Sequence, residues 1–352
     1  MREEGRTAAP DADCYVTWRG PMTWFEVLTG FDETLPGQVR KNVTVDGETL
    51  SSHVNGKVMA CGRLETPTLA ELRERIRSGG RGGGSISLRE VVANVQELHT
   101  DVSNAGSLFQ VASQFNLLEM ASPSVTPECG VGIYENDHTQ GPACAIAAGA
   151  GTIYRNYFAP VNGQIGQSEN NQIDCLADLG RGLGNSDNHL WQMRNGYALA
   201  SRSGLIEISN RLRVSSENEL DELRKLLRIG IQWNTQVTLK DSTHKVSQVY
   251  CSALPVNYSN HASDLWADFA RLVLEASYEA TICTAILNWL STGNNCVFLT
   301  LLGGGAFGNE TNWITEGIKR ALKLYEDWNI EVTIVSYGVS KGYVRQLVEE
   351  FP

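Results

Sequence analysis

Three stretches of the sequence carry residue types whose spacing suits chemistry on a phosphorylated ligand. The first is Leu299-Thr-Leu-Leu-Gly303-Gly304-Gly305-Ala306-Phe307-Gly308-Asn309, an apolar strand that runs into a glycine turn and then a helix. Glycine permits positive φ and lets a ligand approach the main chain closely. The following helix adds the positive end of its dipole. Main-chain N–H groups arranged in this way can hold a diphosphate without a basic side chain. The pattern is neither common nucleotide fingerprint: no Gly-Lys-Ser/Thr follows, and the glycine spacing is not G-x-G-x-x-G. A tight turn with no ligand is the plainer alternative for the same residues.

The second stretch, Val111-Ala-Ser-Gln114-Phe115-Asn116-Leu-Leu-Glu119, reads as a buried strand that ends in polar residues with Asn116 at its tip. An asparagine there could hold a ribose hydroxyl, and a nearby acid such as Glu119 could orient a water as general base. Taken alone, Asn116 reads equally well as a turn or cap residue. The third stretch, from Tyr134 through Asp137-His138-Thr139-Gln140-Gly141-Pro142-Ala143, is a polar loop that enters a helix made of small residues. Asp137 and His138 invite a catalytic reading, with solvation or capping as the alternative. There is no G-x-S-x-G elbow for a serine nucleophile, and no cysteine or histidine cluster with metal-ligand spacing. Neither a metal nor a cofactor is called for. Arg155, Arg181 and Arg194 could reach a phosphate, although surface ion pairs are the plainer expectation.

Strands and helices alternate along the part of the chain that must position these residues. Strands are expected at 95–102, 107–115, 194–200, 229–239, 246–254, 296–302 and 330–337, the one at 229–239 interrupted. Helices are expected at 141–158, 217–227, 263–290, 313–328 and 342–350, with 160–188 mostly loop. Apolar strands buried on both faces and alternating with helices predict a three-layer α/β/α sandwich with a mixed sheet. Upstream, 1–14 reads as a disordered tail. Residues 15–77 read as a small α+β unit with an aromatic nucleus of Trp18, Trp24, Phe25 and Phe31, hairpin signals at Asp46-Gly47 and Asn55-Gly56, and a helix capped by Thr68. The stretch 78–85, with five glycines, is expected to be a linker, followed by the main domain at 86–352.

Composition narrows the function. The 352 residues are 42% hydrophobic and 20% charged, enough for a sizeable core. Lys+Arg is 29 against Asp+Glu at 40, a net charge of −11, which excludes a general nucleic-acid binder that works by displacing counterions. No apolar run has the length of a membrane span, and the polar start has no secretory pattern, so a cytoplasmic protein with reduced cysteines is expected.

From Val246 onward the order of elements resembles the C-terminal half of a macro domain, the ADP-ribose-binding module. The strand 248–254, the long helix rich in Ala and Leu, the strand 297–302, the loop Gly304-Gly305-Ala306-Phe307-Gly308, the helix and the strand 332–337 carry the resemblance. It implies that this loop wraps a diphosphate, with Phe307 beside the distal ribose. It further implies that Asp101 reads the adenine amino group, that Asn116 holds the distal ribose, and that Gln140 and Gly141 open a second phosphate-facing segment. The chain departs from the family at 122–140, which replaces a glycine-run loop, and at about 160–227, which reads as an insertion. The paired glutamates of the poly(ADP-ribose) glycohydrolases are absent. The activity implied is binding of ADP-ribose or an ADP-ribosylated macromolecule, with hydrolysis at the distal ribose by Asp137 or Glu119. A non-catalytic ADP-ribose reader, or an α/β enzyme acting on another phosphorylated metabolite, are the alternatives.

Overall fold

The computed structural model describes residues 22–80 and 82–351; the expected tail at 1–14 and Trp18 lie outside the described residues. In chain order the strands are β1 (Val43–Asp46), β2 (Thr49–Ser52), β3 (Val58–Ala60), β4 (Arg63–Glu65), β5 (Ser87–Val92), β6 (Leu108–Ala112), β7 (Pro160–Val161), β8 (Gln164–Ile165), β9 (Trp191–Arg194), β10 (Tyr197–Ala200), β11 (Gly230–Gln236), β12 (Lys245–Cys251), β13 (Cys296–Leu299) and β14 (Glu331–Ser336). Seven of them form the central sheet in the order β4-β11-β12-β6-β13-β14-β5. The five strands from β12 to β5 run parallel, and β11 lies antiparallel between β12 and β4. The mixed sheet matches the expectation. Its strands β6, β12 and β14 are buried along nearly their whole length, because helices cover both faces.

One face is covered by the helix Ser263–Thr292, which packs against the helices Leu69–Gly79, Arg202–Val214 and Thr311–Leu324. The other carries two short helices, Gln140–Ala147 and Gly149–Tyr157. The sequence pattern reads as one helix there, but the backbone leaves the helical region at Ala148. These two helices share a second apolar cluster with Phe25, Leu28, Val39, Val43 and Leu50 of the N-terminal segment. Phe25 and Phe31 meet edge to face at 5.4 Å, as an aromatic nucleus there requires.

Several expectations give way. Residues 95–102 are not a strand: Val95–Thr100 is a helix capped by Asn94. The strand is instead β5, whose Arg89-Glu90 interrupts the apolar pattern that would reveal it. The expected strand 194–200 is the hairpin β9–β10, turned by Asn195 and Gly196 at φ 46° and 78°. The 160–188 segment is mostly loop, as expected, with the small hairpin β7–β8 and the helix Ala177–Leu183, and the helix Arg202–Val214 follows the β9–β10 hairpin where no element is expected. Nor does 78–85 separate two units. The β4 strand lies in the main sheet, and Leu69, Leu72 and Ile76 are part of the main core. Cys129 is disulfide-bonded, contrary to the reduced thiol expected, whereas Cys61, Cys144, Cys175, Cys251, Cys283 and Cys296 are free.

Glu33 fastens the N-terminal segment to the loop that leads into the site. Its carboxylate accepts from the amides of Val131 (2.9 Å) and Gly132 (2.5 Å) and from the Tyr157 hydroxyl (2.6 Å). Glu33→Ala leaves three donors without their acceptor and should lower unfolding free energy by about 2 kcal/mol or more. A denaturant midpoint equal to that of the wild type would contradict this.

Candidate active site

The ladder between β6 and β13 is short. It pairs Val297 with Leu108 and Phe298 with Phe109 and goes no further. Beyond that point side chains take over the main-chain groups. Gln140 accepts from Ala112 N–H (2.9 Å) and donates to Gln110 C=O (2.8 Å), extending β6 as a partner strand would. Gln110 in turn accepts from Thr300 N–H at 3.2 Å. The two strands are therefore bridged rather than paired at their carboxyl ends. A cavity of about 690 Å³ opens there, walled by residues that follow β5, β6, β12, β13 and β14. Ligands in open α/β sheets sit at this edge.

The glycine loop forms one wall. It is braced from within by Asn309 N–H to Gly303 C=O (2.9 Å) and Gly308 N–H to Gly305 C=O (3.0 Å). Asn309 Nδ2 ties it to Leu254 C=O at 2.8 Å. Gly303 and Gly308 have φ of 71° and 72°, and a Cβ on Gly308 would stand 2.2 Å from Asn257 Cγ. The N–H groups of Gly303, Gly305, Ala306 and Phe307 donate to no acceptor among the described residues, and all four residues line the cavity. A Cβ on Gly305 meets nothing within 4 Å. The loop is thus rigid at its base and open at its tip. Phe307 packs with Tyr197 (5.4 Å) and Tyr258 (5.5 Å), giving the cavity an aromatic wall.

Glu119 lies opposite Gln140 and Gly141. A Cβ on Gly141 would fall 2.2 Å from Glu119 Oε2 and 2.0 Å from Ala112 C=O, so only glycine lets the helix start close against both. Glu119 is 4% exposed and lines the cavity, and its Oε1 has no hydrogen-bond partner. Burial raises its pKa well above the ordinary carboxyl range; Arg155 opposes the shift and Asp137 adds to it. A carboxyl whose ionisation burial disfavours can serve as a proton donor. Asp137 also lines the cavity, partly exposed, with Oδ1 accepting from Thr139 N–H at 2.9 Å.

The structure brings together Glu119, Asp137, Gln140, Gly141, Gly303, Gly304, Gly305, Ala306 and Phe307 around one cavity. Gly308 and Asn309 support the loop from behind and do not line it. Asp101 lies elsewhere: it is exposed beyond the helix Val95–Thr100, and its carboxylate caps Ser103. Its assignment fails because 95–102 is not a cavity strand. Asn116 is fully buried off the cavity, with Nδ2 donating to Gln172 Oε1 (2.8 Å) and Oδ1 accepting from Leu118 N–H (3.1 Å). It holds a turn, so the ribose role does not fit it. Arg155 is buried rather than a surface residue, whereas Arg181 pairs with Asp178 as expected. Tyr197 and Tyr258 escape a reading of the sequence: one follows a hairpin turn, the other a short 3-10 turn, and neither stands in a periodic pattern. Among the described residues no group of three or more His, Cys, Asp or Glu could hold a metal ion, and no helix is long and apolar enough to cross a membrane.

No family model and no curated protein sequence matches this chain. Among solved structures it is similar to the poly(ADP-ribose) glycohydrolase of Thermomonospora curvata, at 10% identity, covering 90% of this chain and 97% of that one, with a TM-score of 0.45. The poly(ADP-ribose) glycohydrolase of Deinococcus radiodurans, in complex with ADP-ribose, is similar at 11% identity, 82% and 95% coverage and a TM-score of 0.44. Likeness at this level establishes neither fold nor activity; the sheet order and the cavity stand on the chain's own geometry.

The loop geometry sets apart two glycine substitutions. Gly308→Ala should cost about 2 kcal/mol or more, from the left-handed φ and the collision with Asn257. Gly305→Ala should leave the denaturant midpoint in place, and equal losses in the two variants would contradict a loop that is braced at its base only. Because Glu119 has a raised pKa in the folded state, its contribution to stability is fully present below about pH 4.5, the ordinary value, and is lost as pH rises through the folded value. Glu119→Gln should therefore flatten the decline in stability above pH 4.5; an unchanged pH profile of unfolding would contradict a buried neutral carboxyl.

Proposed function

We propose that the protein binds ADP-ribose, or a closely related nucleotide diphosphate, in this cavity and hydrolyses an ADP-ribosyl adduct at the distal ribose. The observation that carries the reading is the pairing of free loop amides at Gly305, Ala306 and Phe307 with a buried carboxyl, Glu119, whose Oε1 has no partner. The macro-domain resemblance of the loop supplies the ligand class. The amides take the diphosphate and fix the sugar, which supplies orientation. The aromatic wall of Tyr197, Tyr258 and Phe307 offers a flat apolar surface to a sugar or base.

The chemistry divides between two carboxyl groups. Glu119, neutral, gives its proton to the leaving atom as the glycosidic bond breaks and an oxocarbenium-like centre develops. Asp137, partly exposed at the same cavity, takes a proton from the water that adds to that centre. A non-catalytic reader needs the loop but no acid at the cavity, so Glu119 favours the hydrolase. An ADP-ribosylated protein, or a single modified end, suits a chain of net charge −11 better than bulk nucleic acid.

Calorimetric titration with ADP-ribose, ADP and NAD tests the ligand class, and product analysis on a mono-ADP-ribosylated peptide tests the reaction. Glu119→Gln should keep ADP-ribose affinity and lose about 10²-fold or more in kcat. In the wild type the rate should fall as pH rises through the raised pKa of Glu119, since only its protonated form donates. Full turnover by Glu119→Gln would remove that residue from the mechanism.

A further inference from the structure

Glu119 is delivered by a turn that the backbone does not favour. Leu117 has φ 65°, a left-handed conformation that a leucine side chain resists. Its side chain is buried and packs closely on Gly230, where a Cβ would stand 2.4 Å from Leu117 Cδ1. The turn is closed by Leu117 N–H to Gln114 C=O (2.9 Å) and Gln114 N–H to Leu118 C=O (3.1 Å). That leaves the Leu117 carbonyl, and Arg155 Nε donates to it at 3.1 Å.

Arg155 is an unusual residue for this task. It is fully buried, and burying a guanidinium is expensive unless it is paired. Its hydrogen bonds nevertheless go to neutral acceptors, Leu117 C=O and Thr152 Oγ1 (2.9 Å), and its Nη1 has no partner. The guanidinium lies 3.7 Å from the centre of the Tyr250 ring. The titratable groups around Glu119 are Arg155 and Asp137, which act on its carboxyl, and Tyr134, Tyr197, Tyr250 and Cys144, which feel its charge. Burial pushes the three tyrosines and the cysteine upward, so they stay neutral, and Arg155 is the one cation among the six.

We propose that Arg155 is a positioning residue for Glu119: it holds the strained Leu117 turn that presents the carboxyl to the cavity. A buried cation without a paired anion is stable here because the turn carbonyl, the threonine and the ring share it, while the carboxyl can accept ionisation when the proton leaves. The role rests on Glu119 acting as the acid of the proposed hydrolysis.

The test uses the full chain with Arg155→Lys, Arg155→Gln and Thr152→Val. It reads kcat and KM on a mono-ADP-ribosylated peptide and follows the 13C carboxyl resonance of Glu119 with pH, assigned by its loss in Glu119→Gln. Arg155→Lys keeps the charge without the fork, and Thr152→Val frees one end of the guanidinium. Both should retain ADP-ribose affinity while kcat falls about tenfold, since misplacement costs rate rather than binding. Arg155→Gln should move the Glu119 titration, and the alkaline limb of the rate with it, upward by about one pH unit or more. An unmoved Glu119 midpoint in Arg155→Gln would overturn the assignment. So would unchanged kcat in both other variants, or a kcat loss that only tracks the folded fraction. Should Arg155→Gln not fold, Arg155→Lys and Thr152→Val decide by the same kcat criterion. A wild type without turnover overturns the hydrolase reading instead, and the carboxyl titration then decides the Arg155 role by itself.

Discussion

The site exists because β6 and β13 stop pairing before they end. Two parallel strands with free main-chain groups between them would be costly inside a covered sheet. Gln140 meets that cost for β6, satisfying Ala112 N–H and Gln110 C=O, while the Gln110 side chain alone reaches across to Thr300 N–H, which leaves space beyond them. Gln140 is also the first residue of its helix, so satisfying β6 fixes where that helix begins. Gly141 follows, and its missing Cβ admits both Ala112 C=O and the Glu119 carboxylate. One pair of hydrogen bonds thus sets the cavity, the helix register and the depth of the buried acid.

The N-terminal segment belongs to the same construction. Its strand β4 closes one edge of the sheet, its helix Leu69–Gly79 enters the main core, and Glu33 grips the 131–132 amides upstream of Asp137. What reads along the chain as an appendage and a linker is, in three dimensions, a support for the site loops. Removing it would take away part of the core rather than an accessory.

Much of the architecture is legible in the sequence where local rules act alone. The two-sided apolar runs at β12, β13 and β14 announce a covered sheet, Thr68 and Glu71 announce a capped helix, and four glycines between 303 and 308 announce a loop whose backbone matters. The rest depends on partners distant in sequence. Asp101 looks like a cavity acid only while 95–102 looks like a strand, although Val95, Leu98 and Val102 stand at the i, i+3, i+7 spacing of a helix. Asn116 has the right neighbours along the chain, but Gln172, 56 residues away, claims its amide. Glu119 is visible as an acid near a strand end; that it is buried, with its Oε1 unpartnered and its ionisation disfavoured, follows from the close packing around it, Gly141 included, which no spacing reveals. The tyrosines of the aromatic wall come from a hairpin and a turn that converge only on folding.

A crystal structure of the wild-type chain soaked with ADP-ribose tests the central claim most directly. The diphosphate oxygens should lie within hydrogen-bond distance of the Gly305 and Ala306 amides, with the distal ribose turned toward Glu119. ADP-ribose bound away from the 303–308 loop, or a cavity that stays empty at saturating ligand, would contradict it.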